Sequence, residues 1–289
     1  MYLLLAVAAA AAYGAADFLG GVASRRSAIT PVILVSQGLA LLLALLSAPF
    51  FAAAPAAADL LWGGAAGFAY ALGLLLLYRA MATGLMSVVA PITGICAPCL
   101  PVLIGLLHGE RPGVWALAGM VLAGVAIDLV SREPNTREPS ASAPGNAPAA
   151  RAARRVVFTA IGAGMAFGVF LSAIAHTSPG AGLWPLVAAR AVTLTSHLGV
   201  ALWQRQPLRL ERSSLWTALA GGALDIVANA LYLVATRGAL LSLAATVTSL
   251  YPAATVLLAS LTLGERIHRR RGFGLLCAAT AVVLISATQ

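Results

Sequence analysis

Ten apolar runs, each close to the length of a bilayer-crossing helix, follow one another through this sequence with short polar breaks between them. A hydrocarbon core of about 30 Å takes roughly 20 helical residues at about 1.5 Å each. The runs that qualify are 3–22, 30–49, 60–80, 85–107, 113–130, 156–176, 182–203, 215–236, 240–263 and 272–287. In lipid the backbone has no water to bond, so a run of this length satisfies its N–H and C=O groups only as a helix. Charge completes the argument. Only 9% of the 289 residues are charged, against about 25% in an ordinary soluble domain, and too few remain to cover a water-facing surface. The fold expected is an all-α polytopic membrane protein of ten transmembrane helices. The first run is read as a retained span, because Met1-Tyr2-Leu3 has no positively charged leader before it.

The formal charge of +9 comes from arginine alone, since the chain contains no lysine. These arginines cluster between apolar runs, which reads as a topology signal and not as a nucleic-acid surface. Fifteen of them lie at the ends of the first, third, fifth, seventh and ninth runs or in the loops that follow, Arg79 being the one at the end of the third, against Arg111 and Arg237 on the other side and Arg190 deep inside a run. The positive-inside rule then puts the arginine-rich loops in the cytoplasm and both termini outside, in a plasma or inner membrane.

The two halves repeat. LLWGGAAGFAYALGLLLLYRAMATG (60–84) aligns with SLWTALAGGALDIVANALYLVATRG (214–238), pairing Trp62 with Trp216, Gly67 with Gly221, Tyr78 with Tyr232 and Gly84 with Gly238. After one inserted residue, Gly109-Glu110-Arg111 aligns with Gly264-Glu265-Arg266. The domains expected are a five-helix repeat over 1–130, a second over 156–289, and between them a disordered basic linker of Pro, Ala and Ser over 131–155. A unit with an odd number of spans re-enters the membrane from the opposite side in its second copy. The halves are therefore read as inverted repeats, an arrangement common among secondary transporters.

The Gly-Glu-Arg turn after the fourth span of each half, AYGAADFLGGVASRR (12–26) and LLLLYRAMATGLMSVVAPITG (74–94) resemble the EamA family of the drug/metabolite transporter superfamily. The resemblance covers nearly the whole chain. It implies transport, often export, of small metabolites, amino acids or drugs through a cavity lined by spans 1, 3 and 4 and their counterparts 6, 8 and 9. The family's commonest topology has both termini in the cytoplasm, opposite to the arginine count.

Ionisable groups inside a bilayer are costly and usually face the bundle interior. Asp17, Arg190 and Asp225 stand out, and the repeat places Leu171, Ser36 and Ala71 at the equivalent positions. A charge present in one copy only points to a solute more than to a requirement of the repeated architecture. Gly221, Asp225, Asn229 and Tyr232 share one face of span 8, and Arg190, Thr193 and His197 share one face of span 7. Arg190 lies deep enough to reach Asp225, either as a structural ion pair or as a proton, cation or solute-amine site with a switchable partner. Asp17, four residues after Tyr13, reads as an anchor near the membrane face or as a solute ligand, and His197 as a hydrogen-bonded packing residue. Spans 4 and 9 are the expected pathway pair. Pro91 and Gly94 share a stripe with Ser87, Pro98 and Pro101, while Thr246 and Ser249 share one with Ser242, ahead of Tyr251 and Pro252. Proline in corresponding helices of two halves is a sequence pointer to a transport site. Asp59 reads as an N-cap, Glu110 and Glu265 as turn organisers, and Gly164-x-x-x-Gly168 as a close helix contact.

The function expected is a secondary transporter working by alternating access, an exporter, with a site near the midplane and H+ as a candidate coupling ion. Its partners would be a small-molecule solute and the lipid bilayer, with no nucleic acid, and the chain would act as a monomer or homodimer. No cofactor, metal or catalytic residue is expected. There is no Gly-x-x-x-x-Gly-Lys-Ser/Thr loop, His-Glu-x-x-His or Gly-x-Ser-x-Gly, and Cys96-x-x-Cys99 has no partner ligands in its span. The alternatives are a passive facilitator or channel and an intramembrane enzyme acting on a lipid-linked substrate.

Overall fold

A computed structural model describes residues 1–51, 55–82, 86–131, 147–205, 208–263 and 269–286. The described residues form helices α1 (Tyr2–Arg26), α2 (Ile29–Ser47), α3 (Ala57–Ala82), α4 (Met86–Leu107), α5 (Val114–Ser131), α6 (Ala147–Ala175), α7 (Trp184–Trp203), α8 (Arg212–Thr236), α9 (Leu241–Thr248), α10 (Tyr251–Leu263) and α11 (Arg269–Ser286). Six helices, α1, α2, α3, α6, α7 and α8, contain stretches long and apolar enough to cross a membrane, and shorter apolar helices accompany them. Large apolar side chains such as Phe68, Val121, Trp216 and Leu276 point outward, as a lipid-facing exterior requires. The protein is an all-helical, multi-pass membrane protein.

Two boundaries differ from expectation. Helix α6 begins at Ala147, inside the stretch read as linker, while 132–146 lie outside the described residues. The reason is local: APAARAARR is built mostly of alanine and arginine, among the strongest helix formers, so the helix continues upstream of its apolar part. The single ninth run, 240–263, is divided between α9 and α10 by a break at Ser249 and Leu250. Pro252 brings no N–H to the carbonyl four residues before it, and the helix yields there.

Helix pairings come in exchanged sets. Helix α1 packs on α8 as α6 packs on α3, and α2 packs on α8 as α7 packs on α3. The pair α4 and α6 answers α1 with α9 and α10, while α5–α11, α2–α7 and α4–α9 join helices at equivalent positions of the two expected repeats.

Glycine lets several of these helices touch backbone to backbone. A Cβ on Gly63 would overlap the Pro185 carbonyl, and one on Gly67 the Ala189 carbonyl, so α3 and α7 meet along a Gly-x-x-x-Gly seam. Thr193 Oγ1 donates to the Gly67 carbonyl at 2.8 Å across the same seam. Gly164 and Gly168 of α6 lie directly against Thr93 and Ala97 of α4, which is the close contact their spacing suggested.

Polar ties join the halves at the end bearing the α2–α3, α4–α5, α6–α7 and α8–α9 connections. Asp59 sits at the third position of α3, three residues past the N-cap, and reaches back to the Ala56 N–H at 3.0 Å. The same carboxylate accepts from Ser178 N–H at 2.7 Å and Ser178 Oγ at 2.9 Å. Glu110, expected only to shape its own turn, accepts from the Leu241 and Ser242 N–H groups at 2.6 and 3.1 Å, and so caps α9 in the other half. Glu265 lies outside the described residues. At the opposite end the described ties are fewer and longer: Glu211 N–H to Ser27 Oγ at 3.3 Å, and Ser214 Oγ to the Ala23 carbonyl at 3.4 Å.

Candidate functional site: a buried ion cluster beside two central chambers

Four helices bring one polar cluster into the middle of the bundle. Arg190 of α7, 1% exposed, places Nη1 3.0 Å from Asp225 Oδ2 on α8. The same nitrogen donates to Gln37 Oε1 of α2 at 2.6 Å, and Gln37 Nε2 donates to Asp225 Oδ2 at 3.3 Å. Tyr70 of α3 donates its hydroxyl to Asp225 Oδ1 at 2.7 Å, and its ring centroid lies 4.4 Å from the Arg190 guanidinium carbon. Asn229, one turn along α8, donates to Asp225 Oδ1 at 3.1 Å and to its carbonyl at 2.7 Å. The Asp225 carboxylate is thus held by one cation, two amides and a phenol. A charge this deep in an apolar interior is tolerable only with such compensation.

The pairing of Arg190 with Asp225 follows the reach estimated from their depths. His197 lies on the Arg190 face, buried, with Nδ1 2.9 Å from the Thr193 carbonyl. Gln37 and Tyr70 escaped the sequence reading. The signal available was an amide and a phenol in otherwise apolar runs, opposite Arg190 and Asp225, but neutral polar residues are common in such helices and neither carries a charge.

Beside the cluster lie two chambers. One, of about 50 Å³, is bounded by Tyr13 and Asp17 of α1, Tyr70 of α3, Ala97 of α4, Phe167 and Leu171 of α6, and Thr248, Ser249 and Tyr251 at the α9–α10 break. It has room for several water-sized groups. The second, of about 20 Å³, touches Asp17, Gln37, Tyr70, Tyr78 and Asp225. Asp17 and Tyr70 border both, so the two chambers meet at these side chains, beside the ion cluster. Asp17 is therefore brought into the centre, and not to the membrane face where its position near the end of span 1 suggested an anchor.

The remaining expected residues divide. Ser249 and Tyr251 line the larger chamber, and Tyr251 donates to Thr93 Oγ1 at 3.3 Å. Gly94 packs beneath them against Pro252. Thr246 is buried and turned back onto the Ser242 carbonyl at 2.7 Å, and Tyr232 donates to the Leu171 carbonyl at 3.2 Å, so neither faces the chambers. Pro91 belongs to α4, with its side chain outside the described set. Among the described residues no group of His, Cys, Asp and Glu is arranged to hold a metal ion.

Comparison with known proteins bears on both fold and family. A crystal structure known only as that of a protein superposes with a TM-score of 0.67 at 15% identity, over 97% of this chain and 96% of its own, which supports the fold. No curated protein matches the chain. The model of the EamA-like transporter family matches residues 154–287. Residues 154–287 are thus similar to the EamA-like transporter family, which belongs to the drug/metabolite transporter superfamily.

Proposed function

We propose that this protein is a secondary transporter that moves small metabolites, amino acids or drugs out of the cell by alternating access, its ten spans forming two inverted five-helix repeats. The observation that carries the reading is the central chamber, bounded by α1, α3 and α4 from one half and by α6, α9 and α10 from the other. A solute there touches both halves, so its binding free energy can bias their relative position.

Three features support this mechanism. The exchanged helix pairings are those two related units would make. The break between α9 and α10 opens a helix at the chamber wall, where irregular backbone in a membrane protein normally lines a cavity. Asp59, Ser178 and Glu110 tie the two halves together at one end among the described residues, as they would in a carrier closed on that side. The solute gradient or H+ exchange supplies the energy, and the chain performs no catalysis. Arginine places the loops after spans 1, 3, 5, 7 and 9 in the cytoplasm of the plasma or inner membrane, with both termini outside.

In proteoliposomes loaded with cell metabolites, the protein drives saturable counterflow of a labelled solute, accelerated by unlabelled solute on the far side. Flux that rises linearly with concentration and ignores the far side would replace the carrier by a channel. A reporter active only in the cytoplasm, fused after Gln289, stays silent; activity there would turn the orientation over.

A further inference from the structure

We propose that the larger chamber binds the ammonium group of an organic amine, with the Asp17 carboxylate as its counter-charge. The inference rests on the transporter reading and narrows it to a class of solute.

Two carboxylates reach the centre of the bundle, and they are in opposite situations. Asp225 is filled: Arg190, Gln37, Tyr70 and Asn229 all bond its side-chain oxygens. Asp17 lines both chambers and has no hydrogen-bond or ion-pair partner among the described residues. With Arg190 committed to Asp225, the formal charges of Asp17, Asp225 and Arg190 leave one negative charge, located on the open carboxylate. A cation entering the chamber gains that charge, whereas an anion meets it at short range in a medium of low dielectric.

The walls fit a cation independently of Asp17. Four aromatic rings surround the space, those of Tyr13, Tyr70, Phe167 and Tyr251, and ring faces attract ammonium groups. Thr248 and Ser249, 2% and 1% exposed, line the chamber, and their hydroxyl oxygens have no hydrogen-bond partner among the described residues. Buried hydroxyls without partners cost free energy, and a ligand N–H would satisfy them. Helix α9 ends at Thr248, bringing its carbonyl end, the negative pole of a helix, to the same wall. Pro252 offers no N–H to the Thr248 carbonyl, so this acceptor lacks its usual helical bond. A lone inorganic cation would use the oxygens and waste the rings. An amine uses both, with its ammonium at Asp17 and its carbon body against the aromatic faces.

The test compares three molecules of one shape and different charge, benzylammonium, benzyl alcohol and benzoate, binding the purified full-length protein in detergent by calorimetry. Benzylammonium binds at least about tenfold more tightly than benzyl alcohol, the ratio expected from one added charge contact, and benzoate binds weakest. Asp17→Asn brings the amine to within about twofold of the alcohol, Asp17→Glu keeps the preference, and Tyr251→Leu weakens the amine about three- to tenfold. Monodispersity of each variant on gel filtration reports folding. Should Asp17→Asn not fold, the wild-type series with Asp17→Glu and Tyr251→Leu decides the matter. Equal binding of the three molecules, tightest binding of benzoate, or a preference for the amine that survives in folded Asp17→Asn would overturn the proposal. Amine binding without counterflow would sink the transporter reading and leave the site. Counterflow of a neutral or acidic solute with no amine binding would sink the site and leave the transporter.

Discussion

Arg190→Met lowers the stability of the bundle by about 3–5 kcal/mol, the cost of removing one partner from a buried ion pair. Asp225 would keep Gln37, Tyr70 and Asn229 as neutral donors, but no cation would balance a carboxylate in an apolar interior. The reverse change, Asp225→Leu, strands the Arg190 guanidinium, already 1% exposed, to a similar extent. Combining Arg190→Met with Asp225→Leu recovers more than half of the larger single loss, because no charge then remains to be desolvated. The recovery stays incomplete, since the Gln37 amide and Tyr70 hydroxyl lose their acceptor, at about 1–3 kcal/mol for a buried group left unsatisfied. Thermal unfolding of the four proteins in one detergent makes the comparison. Additive losses in the double variant would mean that the two residues do not act as a pair.

Gly67→Leu is expected to cost about 3 kcal/mol or more, the upper end of what overpacking does to a close-packed interior. The position leaves no room to adjust, because the obstacle to a side chain is the Ala189 backbone of α7 and not the end of a flexible side chain. Separating α3 from α7 also removes the Thr193 hydrogen bond to the Gly67 carbonyl and moves Tyr70 away from Arg190. The damage therefore reaches the ion cluster through the seam that positions it. Gly64 of the same helix is the internal control: a Cβ there meets Val192 Cγ2 at 3.7 Å, an ordinary contact. Gly64→Ala stays within about 1 kcal/mol of the wild type, the scale of the helix-propensity difference between the two residues. Equal unfolding temperatures for Gly67→Leu and Gly64→Ala would refute the close approach.

Much of this molecule is written along the chain. A span needs only length and apolarity, so its existence is a local property, and the runs at 3–22, 30–49, 60–80, 156–176, 182–203 and 215–236 correspond to the six long apolar helices. Arg190 and Asp225 stood out for the same reason: a charge in an apolar run is rare enough to demand a partner, and each was the other's nearest candidate in depth. The weakness ahead of Pro252 was also local, since a missing N–H weakens the helix wherever the proline sits.

What the chain could not disclose was which side chains meet across the bundle. Gln37 and Tyr70 are ordinary residues of α2 and α3 until close packing at Gly67 and Gly222 brings those helices against α7 and α8. Glu110 reads as a turn residue because its partners, the Leu241 and Ser242 N–H groups, lie in the other half of the chain. Asp17 shows the division most plainly. Its distance from the end of span 1 suggested an anchor at the membrane face, yet the structure places it on the border of both chambers. Sequence determined the helices, their number of apolar runs and the charges that must be buried, because burial in lipid is decided residue by residue. Tertiary packing decided which of those charges is filled and which stays open, because that depends on the rotation of each helix about its axis, set by glycine contacts between distant segments.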